Sequence, residues 1–148
     1  MFRFSDKTYK VLVDAGWHPQ RNYDIGSFKE CILNNGYRMS PIIEQFLMSY
    51  GGLKIEYNRK NGTKNSFHFD ARTAIERVDD LWAQTTYYER LKVGLCVVGQ
   101  ADTDHLTLMM DETGKFYGGF DDFLCFIAES GEEAIEAMCS DREFEEIT

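Results

Sequence analysis

Ser40-Pro41-Ile42-Ile43-Glu44-Gln45-Phe46-Leu47-Met48-Ser49-Tyr50-Gly51-Gly52-Leu53-Lys54-Ile55-Glu56-Tyr57, residues 40–57, changes period part-way along. In its first half Ile42, Ile43, Phe46, Leu47 and Tyr50 recur at helical spacing and fall on one face. Ser40 suits an N-cap, and Pro41 takes the first turn, where its missing N–H costs nothing. Gly51-Gly52 then ends the helix, with a left-handed cap expected at Gly51. From Leu53 to Tyr57 the pattern alternates apolar and polar, as in a half-buried strand. A helix feeding directly into a strand of this kind predicts an α+β fold.

Working outward, Asn58 to Gly62 reads as a turn, and Ser66-Phe67-His68-Phe69 as the returning strand. Upstream, one helix is predicted from about Asp6 to Ala15, with Ser5 as cap, Gly16 as stop, and Val11, Leu12 and Ala15 inward. A second is predicted from about Ile25 to Asn34, with Ile25, Phe28, Cys31 and Ile32 as its stripe. Downstream, Asp70 caps a helix expected from Ala71 to Gln84, with Ala74, Ile75, Val78, Leu81 and Trp82 at the 3.6 period. Leu95-Cys96-Val97-Val98, closed by Gly99, reads as a buried strand. Leu106 to Met110 and Lys115 to Tyr117 form a hairpin whose turn places Gly114 where positive φ is needed. Phe123 to Ile127 supplies a further strand. Ser130-Gly131-Glu132-Glu133 is a capping box opening the fifth helix, with Ala134, Ile135 and Met138 inward. The acidic tail from Ser140 is expected to fray. The sum is one domain over residues 1–148: a mostly antiparallel sheet of five or six strands with about five helices packed around it.

The 148 residues suffice to bury about two thirds of the unfolded surface, so neither disulfide nor metal is required for folding. No apolar run approaches the roughly 20 residues of a membrane span. The N-terminal residues alternate polar and apolar without a leader's apolar core. Cys31, Cys96, Cys125 and Cys139 form no C-x-x-C pair, and apolar neighbours around the first three mark them as small hydrophobes. These features predict a cytoplasmic, reducing compartment.

Charge is distributed unevenly. Residues 1–98 carry 14 Lys+Arg against 11 Asp+Glu, whereas residues 99–148 carry 2 against 14, a balance of −12 within the total of −9. Such a balance opposes nucleic acid as the main partner. It suits a basic partner or simple solubility.

Catalytic patterns are sparse. His18, His68 and His105 form no metal-binding spacing, and Asp102-x-Asp104 near His105 does not continue as a calcium loop. There is no G-x-S-x-G. Gly51-Gly52 closes a helix when phosphate binding needs one opened, and Gly118-Gly119 lacks the rest of such a motif. Asp79-Asp80 reads as a solvated helix surface. Asp121-Asp122, between aromatic segments, is the carboxylate pair best placed for acid–base work. Arg21, following Trp17-His18-Pro19, can stack on Trp17, and this loop is expected to lock the first helix to the sheet. No cofactor is implied.

The order and spacing of several motifs carry a family resemblance. They are Ala15-Gly16-Trp17-His18-Pro19-Gln20-Arg21, Phe46-Leu47-Met48-Ser49-Tyr50-Gly51-Gly52-Leu53 and Phe67-His68-Phe69-Asp70. After these come Leu95 to Gly99, Gly114-Lys115-Phe116-Tyr117, and Gly131 with Glu133-Ala134-Ile135. From about Tyr9 to Met138 the chain resembles the SUKH superfamily of bacterial immunity proteins, in the group usually numbered third. The family often places proline after the Asp70 position and in the strand before Gly99. Here Ala71 and Cys96 stand there. The resemblance implies a non-enzymatic protein that binds a secreted polymorphic toxin domain, often a nuclease or deaminase, in the producing cell. It marks Gly16, Trp17, Arg21, Tyr50, Gly51 and Gly52 as fold determinants. A nuclease toxin holds phosphates on a basic surface, so the turn acids Asp102, Asp104, Asp111, Glu112, Asp121 and Asp122 are the expected toxin-facing residues. Glu143, Glu145 and Glu146 rank below them, because ordering a frayed tail costs entropy. The alternatives are a related scaffold or regulatory protein without a toxin, and a small hydrolase or metal enzyme using the Asp102–His105 and Asp121–Asp122 region. Oligomeric state is left open by the sequence.

Overall fold

In the computed structural model, which describes residues 2–79, 81–102 and 105–148, a single seven-stranded sheet runs in strict chain order. The strands are β1 (Lys54–Asn58), β2 (Lys64–His68), β3 (Leu95–Ala101), β4 (Leu106–Asp111), β5 (Phe116–Phe120), β6 (Phe123–Ala128) and β7 (Glu145–Glu146). Every neighbouring pair is antiparallel. The helices are α1 (Asp6–Asp14), α2 (Gly26–Asn34), α3 (Pro41–Tyr50), α4 (Ala71–Arg77), α5 (Tyr87–Leu91) and α6 (Gly131–Cys139), with a π-helical turn over Trp82–Thr86 before α5. The α+β antiparallel architecture expected from the sequence is therefore present, with one strand more than the upper expectation.

Register and pleat separate the two faces. Ile55 lies opposite Phe67, Phe67 opposite Ala101, Ala101 opposite Leu106, and Leu108 opposite Gly118, all on one face. Phe46 of α3 extends this core, its ring 4.9 Å from Phe69 and 5.6 Å from Phe116. On the other face Tyr87 lies over Gly119, where a Cβ would come within 2.6 Å of its ring. With both faces covered, β3 and β4 are buried along their whole length, whereas β1 alternates. That is why Leu95 to Val98 reads as one apolar run and Leu53 to Tyr57 does not.

The expected caps form. Ser5, Ser40, Asp70 and Ser130 each accept a hydrogen bond from the backbone N–H three residues on. Several expectations change. The helix expected over Ala71–Gln84 stops at Arg77, and Val78 is extended (φ −94°, ψ 148°). The Asp79 carboxylate accepts from Leu81 N–H at 3.0 Å, a local turn that competes with helix continuation. The phase is reset: Leu81 is 65% exposed, and Ala83 and Tyr87 turn inward instead. Asp80 lies outside the described residues. Ile42 is 47% exposed because it sits beyond the edge of the α3 stripe.

At the α3–β1 junction the left-handed residue is Gly52 (φ +80°), not Gly51, which has φ −58° and ψ 142°. Gly51 is needed for space: a Cβ there would lie 2.4 Å from the Leu47 carbonyl oxygen. The tail does not fray. Arg142 N–H reaches Ala137 O, β7 pairs with β6, and Ile147 N–H donates to Leu124 O at 2.7 Å. Phe144 and Ile147 pack against the core, which holds this segment in place.

Candidate interaction surface

An antiparallel meander puts alternate turns at the same end of the sheet. The β1–β2, β3–β4 and β5–β6 turns share one end, and the β4–β5 turn stands at the other. This topology divides the sequence-predicted acids. Asp102, Asp121 and Asp122 share the first end, and Asp104 lies outside the described residues. Asp111 and Glu112 belong to the opposite end, roughly 17 Å away for a six-residue strand at about 3.3 Å per residue.

Asp121 and Asp122 form the tip between β5 and β6. Asp121 takes φ +48°, a conformation that aspartate tolerates better than most residues. The tip is pinned from beneath: Tyr87 OH donates to Asp121 O at 2.5 Å, and Arg90 Nη1 donates to Asp122 O. Their backbones are thus held while both carboxylates stay exposed, with no ion pair among the described residues. Phe120 beside them is 53% exposed. Sequence pattern signals neither the pins nor the exposed Phe120, since both pins come from α5, beyond the helix predicted to end at Gln84. Asp102 is also exposed, with φ +51°, and accepts from Asn65 Nδ2 at 3.0 Å.

The ordered tail adds acids to this end. Asp141, Glu143 and Phe144 join Asp102, Arg59 and Lys60 around a cavity of about 540 Å³. Asp141 is engaged there by Arg59 Nε and by Lys60 N–H, each at 3.2 Å. Glu145 and Glu146 are exposed on β7, so the entropic argument against the tail acids no longer holds.

Asp111 departs from its expected role. It is 3% exposed. Its Oδ1 accepts from Thr113 N–H (2.9 Å), Thr113 Oγ1 (2.7 Å) and Lys115 N–H (3.1 Å), and its Oδ2 from Tyr117 OH (3.4 Å). Burial, with this carboxylate adding to it, pushes the Tyr117 phenol up to about 12. Asp111 builds the turn from within, and of the two acids Glu112 alone is exposed.

The fold-signature residues converge around α3. Trp17 stacks on Tyr50 (5.9 Å between centroids, 13° between planes) and meets Phe4 and Tyr9 edge-on. Gly16 takes φ +106° after α1. Burial, aided by the nearby Glu132 carboxylate, pushes the Tyr50 phenol up. Arg21 stacks on Tyr23 (4.7 Å to the ring centroid), not on Trp17, and its Nη1 donates to Ser49 O at 3.0 Å. It therefore ties its loop to α3.

The carboxylates and histidine weighed for hydrolysis meet little of what catalysis needs. His105 N–H reaches Asp102 O at 3.3 Å, a backbone contact. Among the described residues no three His, Cys, Asp or Glu are placed to hold a metal. Burial pushes the Cys96 thiol up to about 12, Cys125 to about 11 and Cys139 to about 12, far from nucleophilic thiolates. No helix among the described residues is long and apolar enough to cross a membrane.

The SUKH-3 immunity protein family matches residues 4–141. The chain belongs to that family. No curated protein and no solved structure matches it. As a SUKH-3 immunity protein it presents the sheet with its acidic turn end as the surface to be explained. The stretch matched to the SUKH-3 family includes the Asp121–Asp122 tip and stops short of β7.

Proposed function

We propose that this SUKH-3 protein is a non-enzymatic inhibitor that binds a cognate bacterial toxin domain, a nuclease or deaminase with a basic surface, in the cytoplasm. The contact is made by the acidic turn end, through Asp102, Asp121 and Asp122, with the β7 acids Glu145 and Glu146 flanking. One observation carries this reading: two exposed carboxylates stand on a tip pinned by Tyr87 and Arg90. A pre-positioned charge pair loses little entropy on docking and steers an oppositely charged partner toward it. The family membership supports the class of partner. Glu112 belongs to the far end of the sheet, and Asp111 contributes through folding.

The test is to express the open reading frame adjacent to this chain's gene with and without the chain and to score growth. Rescue by the wild type, with weaker rescue by Asp121→Asn/Asp122→Lys, is expected. Toxicity that the wild-type chain does not relieve, or the absence of any toxin in the adjacent frame, would favour the scaffold alternative.

A further inference from the structure

At the end of the sheet opposite the acidic tip, the α2–α3 connection and the α5–β3 connection face each other across a groove of about 830 Å³. Its lining includes Ile43 from α3, Leu95 and Cys96 from β3 and Met110 from β4, all buried core residues that give it an apolar base. Tyr88, 48% exposed, and Val93 line it as well. Two cations, Arg38 and Lys92, also line it, and neither makes an ion pair or side-chain hydrogen bond among the described residues. Glu112 is the single carboxylate among the described residues of the lining. In a chain of net charge −9, the described lining of this groove carries two cations against one carboxylate.

We infer that this groove takes an extended toxin segment bearing an apolar side chain and one or more carboxylates. The inference rests on the immunity reading and adds a second contact, of opposite polarity to the first. Complementarity decides the occupant: the exposed rims of Tyr88 and Val93 gain from being covered by an apolar side chain, and unpaired Arg38 and Lys92 select a carboxylate over an amine. The two ends of the sheet lie farther apart than the roughly 8 Å over which charges act in physiological salt, so the contacts discriminate independently.

The experiment measures affinity of the full chain for the catalytically inactivated toxin domain encoded beside it. The variants are Arg38→Glu/Lys92→Glu, Glu112→Lys and Asp121→Asn/Asp122→Lys. The first should weaken binding by at least about tenfold, and Glu112→Lys should leave it unchanged or tighten it. Lys92 has φ +59°, and glutamate replaces one long side chain by another there, so melting temperatures should match. Full affinity in the Arg38→Glu/Lys92→Glu variant, or weakening by Glu112→Lys, overturns the groove contact while leaving the immunity reading standing. No binding by the wild type removes both. Concentration-dependent self-association abolished by the Arg38→Glu/Lys92→Glu pair would reassign the groove to a second copy and overturn the inference.

Discussion

The β4–β5 and β5–β6 turns use aspartate in opposite ways. In the first, Asp111 points its carboxylate inward and gathers four donors. In the second, Asp121 contributes its carbonyl to Tyr87 and leaves its carboxylate outside. Loop length explains the difference. The longer turn frees the N–H groups of Thr113 and Lys115 from strand pairing, and Asp111 satisfies them. The tip between Phe120 and Phe123, which are themselves paired, has no such donors to collect. A turn acid is a surface charge only when its own turn does not need it.

The largest expected effect breaks the inward turn. Asp111→Ala removes four hydrogen bonds to a buried carboxylate and should cost about 2–3 kcal/mol of stability. Urea unfolding would show this as a lower midpoint at unchanged slope. A loss under about 0.5 kcal/mol would erase the distinction between the two turns.

The outward turn should behave in reverse. Asp121→Asn/Asp122→Lys should change stability by no more than about 0.5 kcal/mol, since asparagine keeps the left-handed tolerance and both positions are solvated. Association with the toxin domain should slow about tenfold in rapid-mixing kinetics, with dissociation changing less. Raising the salt should slow the wild type and narrow the gap. An association rate indifferent to both would assign the acidity to solubility.

Much of this arrangement was legible in the sequence because it depends on local pattern. Ser40, Asp70 and Ser130 announce their helices, and the period change at Gly51-Gly52 announces the α3–β1 junction. The −12 balance identified the acidic half. What could not be read depends on three-dimensional accounting. Asp111 looks like any turn acid until the donors around it are known. The helix break at Val78 is hidden because Leu81 and Trp82 continue the apolar period by coincidence. The β7 pairing rests on only two residue pairs, too few for a periodic signal. Opposite placement of Asp121 and Glu112 follows from strand order, which composition does not carry.

A smaller effect tests whether the outward tip is held. Tyr87→Phe removes only the hydroxyl that reaches Asp121 O. Burial, with Asp121 next in effect, pushes this phenol up to about 12, so it remains a donor at neutral pH. The substitution should cost about 1 kcal/mol and raise amide exchange at Asp121 and Asp122. Unchanged exchange would show that the turn geometry alone fixes the tip.

The smallest effect concerns an acid between the two extremes. Glu136 of α6 is half-buried and accepts from Ser5 N–H (2.6 Å), Ser5 Oγ (3.1 Å), Thr8 Oγ1 (2.5 Å) and Ser140 Oγ (3.1 Å), latching α1 to α6. Burial alone would raise its pKa, but these hydrogen bonds outweigh it and hold the carboxyl below its ordinary 4.5. The folded state therefore favours the ionised form. Its contribution is complete above the unfolded value and is lost as pH falls through the folded one. Solvent competes at this partly exposed site, so the contribution should stay under about 1 kcal/mol. Glu136→Gln should be less stable than the wild type at pH 6, and the difference should shrink as the pH is lowered toward 3. Urea midpoints taken in parallel at each pH cancel the titration of the other carboxylates. A gap of constant size would mean that the latch depends on shape and neutral hydrogen bonds. Glu136 would then be unlike Asp111 in kind as well as in degree.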